Sequence, residues 1–280
     1  MSSASGDTLS LRRQLILYAA LSFLAFWFLV PFAWMLITSV KTPDEVFSRL
    51  LPSVLRLANF VEIFNQPTLP FGRYFLNSTI ITVFGTGASL FASSIVAYAF
   101  ARLNFFGRDV LFVAVLSTMM LPAAVTMIPT FVLFQKLGWV DTFLPFLVPA
   151  CTGNAFQIFF LRQFFKTLPV DLIDAARIDG CSNLRICLSI AMPLAKPTLA
   201  TLSILSFLSL WNDFMGPLIY LHSNEKRTLA LGLNAFAGMY GTQWHLLMAA
   251  SVVATVPILV VFFMGQRYFE RGLVMTGMKG

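Results

Sequence analysis

Acid–base, nucleophilic and metal chemistry needs titratable side chains at particular spacings, and this chain offers few. His222 and His245 are its two histidines, and neither has a Cys, Asp or Glu at metal-ligand spacing. Its three cysteines, Cys151, Cys181 and Cys187, make no CxxC or Cys/His pattern and no disulfide frame. There is no nucleophile elbow, phosphate-binding loop, HExxH or intramembrane carboxylate pair. An enzyme is therefore not expected, and ATP is not bound by any recognisable motif of this chain. One acid stands out. Asp213, in Trp211-Asn212-Asp213-Phe214, falls within a long apolar stretch, where a charge is costly and by default marks a pathway or a partner. Three readings stay open for it: the cap of a broken helix, a pair with Lys226 or Arg227, or contact with a substrate.

The elements that must position these residues follow from composition. Of 280 residues, 58% are hydrophobic and 11% charged, with a mean hydropathy of +0.80, whereas an average soluble domain is about 25% charged. Thirty Phe are more than a soluble chain of this size could hide. Disorder, an ordinary cytosolic enzyme and a secreted disulfide scaffold are excluded; an all-α polytopic membrane protein is expected. A helix needs about 20 mostly apolar residues to cross a ~30 Å hydrocarbon core. Six stretches qualify, at 14–40, 75–100, 110–134, 143–161, 198–221 and 246–265. They lack the polar/apolar alternation of barrel strands. Arg12 and Arg13 precede the first, but it is too long for a signal-peptide core or a twin-arginine signal, and it is expected to stay as an anchor.

With the N-terminus inside, the segments before 14, at 101–109, at 162–197 and after 266 hold twelve of the nineteen Lys and Arg, and the opposite segments seven. That asymmetry puts both termini in the cytoplasm and makes the net charge of +7 a record of orientation rather than of nucleic-acid binding. Asp213 then lies in the outer half of its span, about 22 Å along at ~1.5 Å per residue. Pro122, Pro129, Pro145, Pro149, Pro217 and Pro257 interrupt four of the spans, and Gly85, Gly87, Ala88, Ser89, Ala92, Ser93 and Ser94 crowd the second. Ordinary bundle packing and a bundle that changes shape around a central path both fit those features.

The longest inner segment, 162–197, is the most informative. Thr167-Leu168-Pro169 opens a helix with Pro at a tolerated position, and Asp171 and Asp174 lie near its positive end. Leu172, Ile173 and Ala176 share one face, with Asp171, Asp174 and Arg177 on another. Gly180 is placed as a left-handed terminator, and Ser182 caps a second helix carrying Leu184, Ile186, Cys187 and Ile190, stopped by Pro193 and Pro197. Two short helices around a glycine bend are expected, either against a protein partner or on the membrane surface. Ala175 and Ala176 give the first little bulk, which suits a close protein contact.

Asp174-Ala175-Ala176, Gly180, Ile190 and Met192-Pro193 resemble the EAA loop of ATP-binding-cassette (ABC) importer permeases at every spacing, with Asp for Glu at 174 and Met for Leu at 192. Trp211-Asn212-Asp213 and the ending Gly272-Leu273-Val274 through Lys279-Gly280 resemble the shorter, six-span permease of maltose-type carbohydrate importers. The resemblance implies a sugar-importer subunit in a bacterial or archaeal cell membrane, with an ion-coupled secondary transporter as the competing reading. It implies a heterodimer with a second permease, two ATPase subunits that bind the ATP, and an extracytoplasmic sugar-binding protein. Asp174, Ala175, Ala176, Gly180, Ile190 and Pro193 would couple to the ATPase, and Trp211, Asn212 and Asp213 would border the translocation path. The 222–245 loop would probe the binding protein and the tail would reach the ATPase interface. The expected organisation is an inner segment at 1–13, a first span at 14–40, a permease core at 71–270 with its loop at 162–197, and a tail at 271–280.

Overall fold

Every regular element is a helix in the computed structural model, which describes residues 11–238 and 243–277, with side chains as far as Gln266. Most of the 1–13 segment, the side chains of Gly272-Leu273-Val274 and the final Met278-Lys279-Gly280 lie outside the described residues, as do 239–242 of the 222–245 loop. The helices in chain order are α1 (Leu11–Ser39), α2 (Ala58–Glu62), α3 (Phe71–Arg102), α4 (Arg108–Ser117), α5 (Ala123–Lys136), α6 (Leu144–Ala150), α7 (Ala155–Thr167), α8 (Val170–Ile178), α9 (Asn183–Ile186), α10 (Met192–Leu194), α11 (Lys196–Trp211), α12 (Met215–Tyr220), α13 (Leu229–Gly238) and α14 (Trp244–Gly277).

Four stretches are long and apolar enough to cross a membrane: α1, α3, α6 with α7, and α14 from Trp244 to Gln266. Two further traverses are broken pairs. The helix from Arg108 to Met120 meets α5 at 100°, and the helix from Asn183 to Leu194 meets α11 at 82°. Proline accounts for the first break. A ring at position i removes the bond to residue i−4 and clashes with that carbonyl, and the chain departs from helix at Leu121, beside Pro122. Pro129 and Pro257, by contrast, sit inside unbroken helices. The fifth traverse ends at Trp211 rather than running to 221, since Pro217 forbids helical bonding back to Asp213 and the chain opens at Asn212–Phe214 before α12 begins.

The chain forms two units. The first comprises residues 11–65 and 236–253 of the described chain. In it α1 is exposed along nearly its whole length, as a lipid-facing helix is, and buries only Thr38 and Ser39. Lys41 is fully buried there, donating from Nζ to the carbonyls of Val46 (3.3 Å) and Arg49 (2.7 Å) and lying 4.8 Å from the Trp34 ring. Asn59 donates to the Ser39 and Lys41 carbonyls at 2.9 Å, so the loop after α1 folds back onto the helix end.

The second unit, residues 66–235 with 254 onward, is organised around α3, against which α6, α7 and α11 pack. Its core runs from Leu90, Ala97 and Tyr98 on α3 through Ile158, Leu161 and Phe165 on α7 to Ile173, Ala176, Ile186 and Ala191. At one end of α3, Arg73, Tyr74 and Asn77 bond to Glu225, Asn224 and Arg227, and Asp141 bonds to Ser223. At the other end Arg102 donates to the Phe165 and Leu168 carbonyls, and Arg162 lies over the Phe112 ring. Loops separated by two traverses therefore meet at the same end, the alternation that the charge asymmetry assumed.

Candidate functional site

A cavity of about 650 Å³ opens beside α3, α6, α7 and α11 in the second unit. Its polar lining is Ser89, Thr152, Asn154, Gln157, Ser206 and Ser209, and its apolar lining includes Phe146 and Phe156. Gln157, 3% exposed, organises the polar side. Its Oε1 accepts from Ser89 Oγ (2.9 Å) and Ser93 Oγ (2.8 Å), while Nε2 donates to Ser206 Oγ (2.6 Å). One amide thus joins three helices. Ser93 Oγ in turn accepts the Asn154 N–H at 2.9 Å, and the Asn154 side chain caps α7 by accepting from Phe156 and Gln157. Gly153, in a left-handed turn at φ +88°, lets the chain pass so close to Ser93 that an added Cβ would sit 3.1–3.3 Å from its atoms. The result is a mid-helix pocket with hydroxyls, amides and aromatic faces and no formal charge, chemistry that suits a neutral polyhydroxylated ligand.

The expected path residues lie next to this cavity rather than in its lining. Trp211 is buried and structural: Nε1 donates to the Ala254 carbonyl (3.1 Å), and its ring stacks on Phe207 and meets Phe75 edge-on. Asn212 is exposed and bonds back to the Leu208 carbonyl. Asp213 Oδ1 accepts the Gly216 N–H at 3.2 Å and so caps the first turn of α12 from one residue before its N-cap position, Phe214. Lys226, one of its expected partners, is joined instead to Asp141. In the sequence Ser89 and Ser93 read as small packing residues, and no motif singles out Asn154, Gln157 or Ser206; their being polar inside apolar stretches is the available signal. Among the described residues no group of His, Cys, Asp and Glu could hold a metal ion.

At the far end of α3 the two-helix loop has the expected local chemistry. Gly180 has φ +78°. Its N–H bonds to the Arg177 carbonyl and the Cys181 N–H to the Ala176 carbonyl, both at 3.0 Å, which is a Schellman ending. Ser182 Oγ accepts the Arg185 N–H and caps the next helix. Ile173 and Ala176 face the core, while Asp174, Ala175 and Gly180 are exposed. Asp174 pairs with Arg177, at 3.1 Å on the same helix. Leu172, on the same face as Ile173 and Ala176, is 39% exposed, and Ile178 is 86% exposed. Ile190, half-buried, packs on the core from a π turn at Cys187–Ala191, and Pro193 is exposed in the turn after it. The loop therefore offers an apolar and charged outer face on helices rooted beside the cavity-forming ones.

A family model described as the binding-protein-dependent transport system inner membrane component matches residues 89–275. The chain is 38% identical over 270 residues to the arabinooligosaccharides transport system permease protein AraQ of Halalkalibacterium halodurans, covering 95% of this chain and 96% of that one. It is 33% identical over 273 residues to the trehalose/maltose transport system permease protein MalG of Thermococcus litoralis, covering 96% and 98%. Among solved structures, a bacterial ABC transporter involved in the import of the acidic polysaccharide alginate superposes with a TM-score of 0.80 at 26% identity, over 91% of this chain and 96% of that chain.

Proposed function

The chain belongs to the binding-protein-dependent transport system inner-membrane component family, a permease subunit of an ABC importer rather than an enzyme, and from that membership we propose that its cargo is a carbohydrate. The observation that carries this reading is the cavity: neutral, hydroxyl- and amide-lined, flanked by Phe146 and Phe156, and formed by helices continuous with the exposed loop. Asn154, Gln157, Ser206 and Ser209 form this chain's share of the sugar path, with Asn212 and Asp213 at its border. A second permease supplies the rest.

Asp174, Ala175, Gly180 and the exposed Pro193 face a cytoplasmic ATPase subunit, while Ala176 and Ile190 hold the loop against the bundle. ATP is bound by the ATPase pair. When that pair closes, it displaces the loop, and the displacement reaches α7 and α11 through Ile173, Ile186 and Ala191. Such coupling requires loop contacts that differ between the open and closed states. The 222–245 side faces an extracytoplasmic binding protein, and both termini are inside.

Reconstitution tests this. The chain co-expressed with its neighbouring permease and ATPase should purify as one complex and take up radiolabelled sugar in proteoliposomes only with ATP and binding protein. Uptake driven by an ion gradient alone would overturn it. For orientation, Cys at Asn183 should resist impermeant thiol reagents in intact cells and Cys at His222 should react.

A further inference from the structure

Among the residues that join the outward-proposed segment between α12 and α13 to the bundle, one, Asp141, is used by no part of the transport reading. Helical continuity fails at Asn212–Phe214 and again at 221–228, so a push on α13 cannot travel along the backbone to α11. It must cross between chain segments. Asp141, in the turn between α5 and α6, makes one such crossing, to that turn. Its N–H donates to the Tyr220 carbonyl at 2.7 Å. Its Oδ1 accepts the N–H groups of His222 (3.0 Å) and Ser223 (2.9 Å), and its Oδ2 accepts from Ser223 Oγ. Lys226 Nζ donates to the Asp141 carbonyl and lies 3.4 Å from Oδ2.

Asp141 is also the one non-glycine residue with positive φ among the described residues, at 58°. Asp and Asn tolerate that region best among non-glycine residues, because their short polar side chains can hydrogen-bond locally. The converging donors come from the 220–226 segment, which sets the position of the carboxylate. The far side of the same segment is seated on α3. Asn77 Nδ2 donates to the carbonyls of Glu225 (2.8 Å) and Arg227 (2.9 Å), and Ser78 Oγ accepts the Leu229 N–H (2.8 Å). Gly232 lies so close to Tyr74 that a Cβ there would be 2.4 Å from the ring.

We propose that Asp141 is a positioning residue that latches the 220–226 segment to the α5–α6 turn, so that α12, the start of α13 and the ends of α3 and α6 move as one body when a binding protein docks. The proposal rests on the permease reading. The latch touches neither sugar nor ATPase; it makes docking on one end of the unit mechanically visible to the cavity-forming helices.

The test uses the assembled complex in lipid, with its binding protein loaded with arabinotriose, maltose or trehalose, whichever stimulates the wild type most. Asp141→Gly keeps a left-handed turn without strain and removes every carboxylate acceptor. It should leave assembly and basal ATP hydrolysis unchanged and lower binding-protein-stimulated hydrolysis at least fivefold. Asp141→Asn keeps an acceptor for the two backbone N–H groups but loses the Oδ2 acceptor of Ser223 Oγ and Lys226, and should restore stimulation only in part. The double variant Ser223→Ala/Lys226→Met leaves residue 141 intact, removes the same side-chain contacts and should show the same partial loss, which decides the matter if Asp141→Gly does not assemble. Stimulation equal to wild type in Asp141→Gly, or in the double variant, overturns the latch alone. A wild-type complex that no sugar-loaded binding protein stimulates overturns the proposed binding-protein coupling and the latch with it.

Discussion

Asp213 caps the helix that begins at its own break, its Oδ1 accepting the Gly216 N–H at 3.2 Å. The same proline that prevents the carbonyl of residue 213 from continuing α11, Pro217, lies one position beyond Gly216 in the helix that the carboxylate caps. A Cβ at 216 would stand 2.6 Å from Asp213 Oδ2 and 3.1 Å from the Phe146 ring, so the glycine is what lets the cap close beside the cavity.

A cap needs an acceptor and not a charge. Asp213→Asn should therefore assemble and transport within about twofold of wild type, and Asp213→Ala should lose ~1 kcal/mol of stability, the usual cost of a lost cap. Gly216→Ala should be the most damaging of the three to uptake, by pushing the carboxylate toward the cavity. Thermal unfolding in detergent and proteoliposome uptake check all three. Normal assembly with abolished transport in Asp213→Asn would instead assign the charge a role in the path.

Gln157→Leu keeps bulk but removes three interhelical hydrogen bonds. Measured interhelical bonds in membranes average about 0.6 kcal/mol each, so a loss of roughly 2 kcal/mol is expected, read as a lower melting temperature of the complex. Gln157→Glu retains acceptors for Ser89 and Ser93 and should recover part of it. An unchanged melting temperature in Gln157→Leu would show that the node does not hold α3, α7 and α11 together.

Gly180→Leu faces open space, with no atom within 4 Å of an added Cβ, but its φ of +78° imposes strain of about 1–2 kcal/mol on a side chain. The spans should insert and the permease pair should assemble. Co-purification of the ATPase, or its stimulation by sugar-loaded binding protein, should fall several-fold. Full stimulated hydrolysis with normal uptake would remove this bend from the coupling path.

The donors around Asp141, first the Ser223 hydroxyl and N–H, then the His222 N–H and Lys226, hold its carboxyl well below the usual carboxylate range. A depressed folded value contributes stability above the unfolded value, near pH 4, and that contribution is lost as pH falls through the folded one. The difference in melting temperature between wild type and Asp141→Asn should therefore stay constant from pH 7 to 5 and shrink only below about pH 4. A difference that vanishes by pH 5 would contradict the hydrogen-bonded carboxylate.

Local rules were enough where a few adjacent residues determine the outcome. The apolar runs required helices because a bilayer supplies no partner for free backbone groups. Pro122 placed a break, and Ser182 and Gly180 fixed a cap and a left-handed ending from their own chemistry, independent of anything distant. The EAA-like spacing lay within one segment and was equally legible. What only the tertiary structure decided depends on residues far apart in the chain. Gln157 is an ordinary polar residue in an apolar run until Ser89, Ser93 and Ser206 close around it. Lys226 could equally have paired with Asp213, and it is the turn at Asp141 that brings a better set of acceptors within reach. Leu172 shares a helical face with Ile173 and Ala176 yet stays exposed where they are buried. Sequence fixes which bonds a backbone can make with itself; which side chains meet across helices is set by how the helices pack, and no spacing within one segment encodes it.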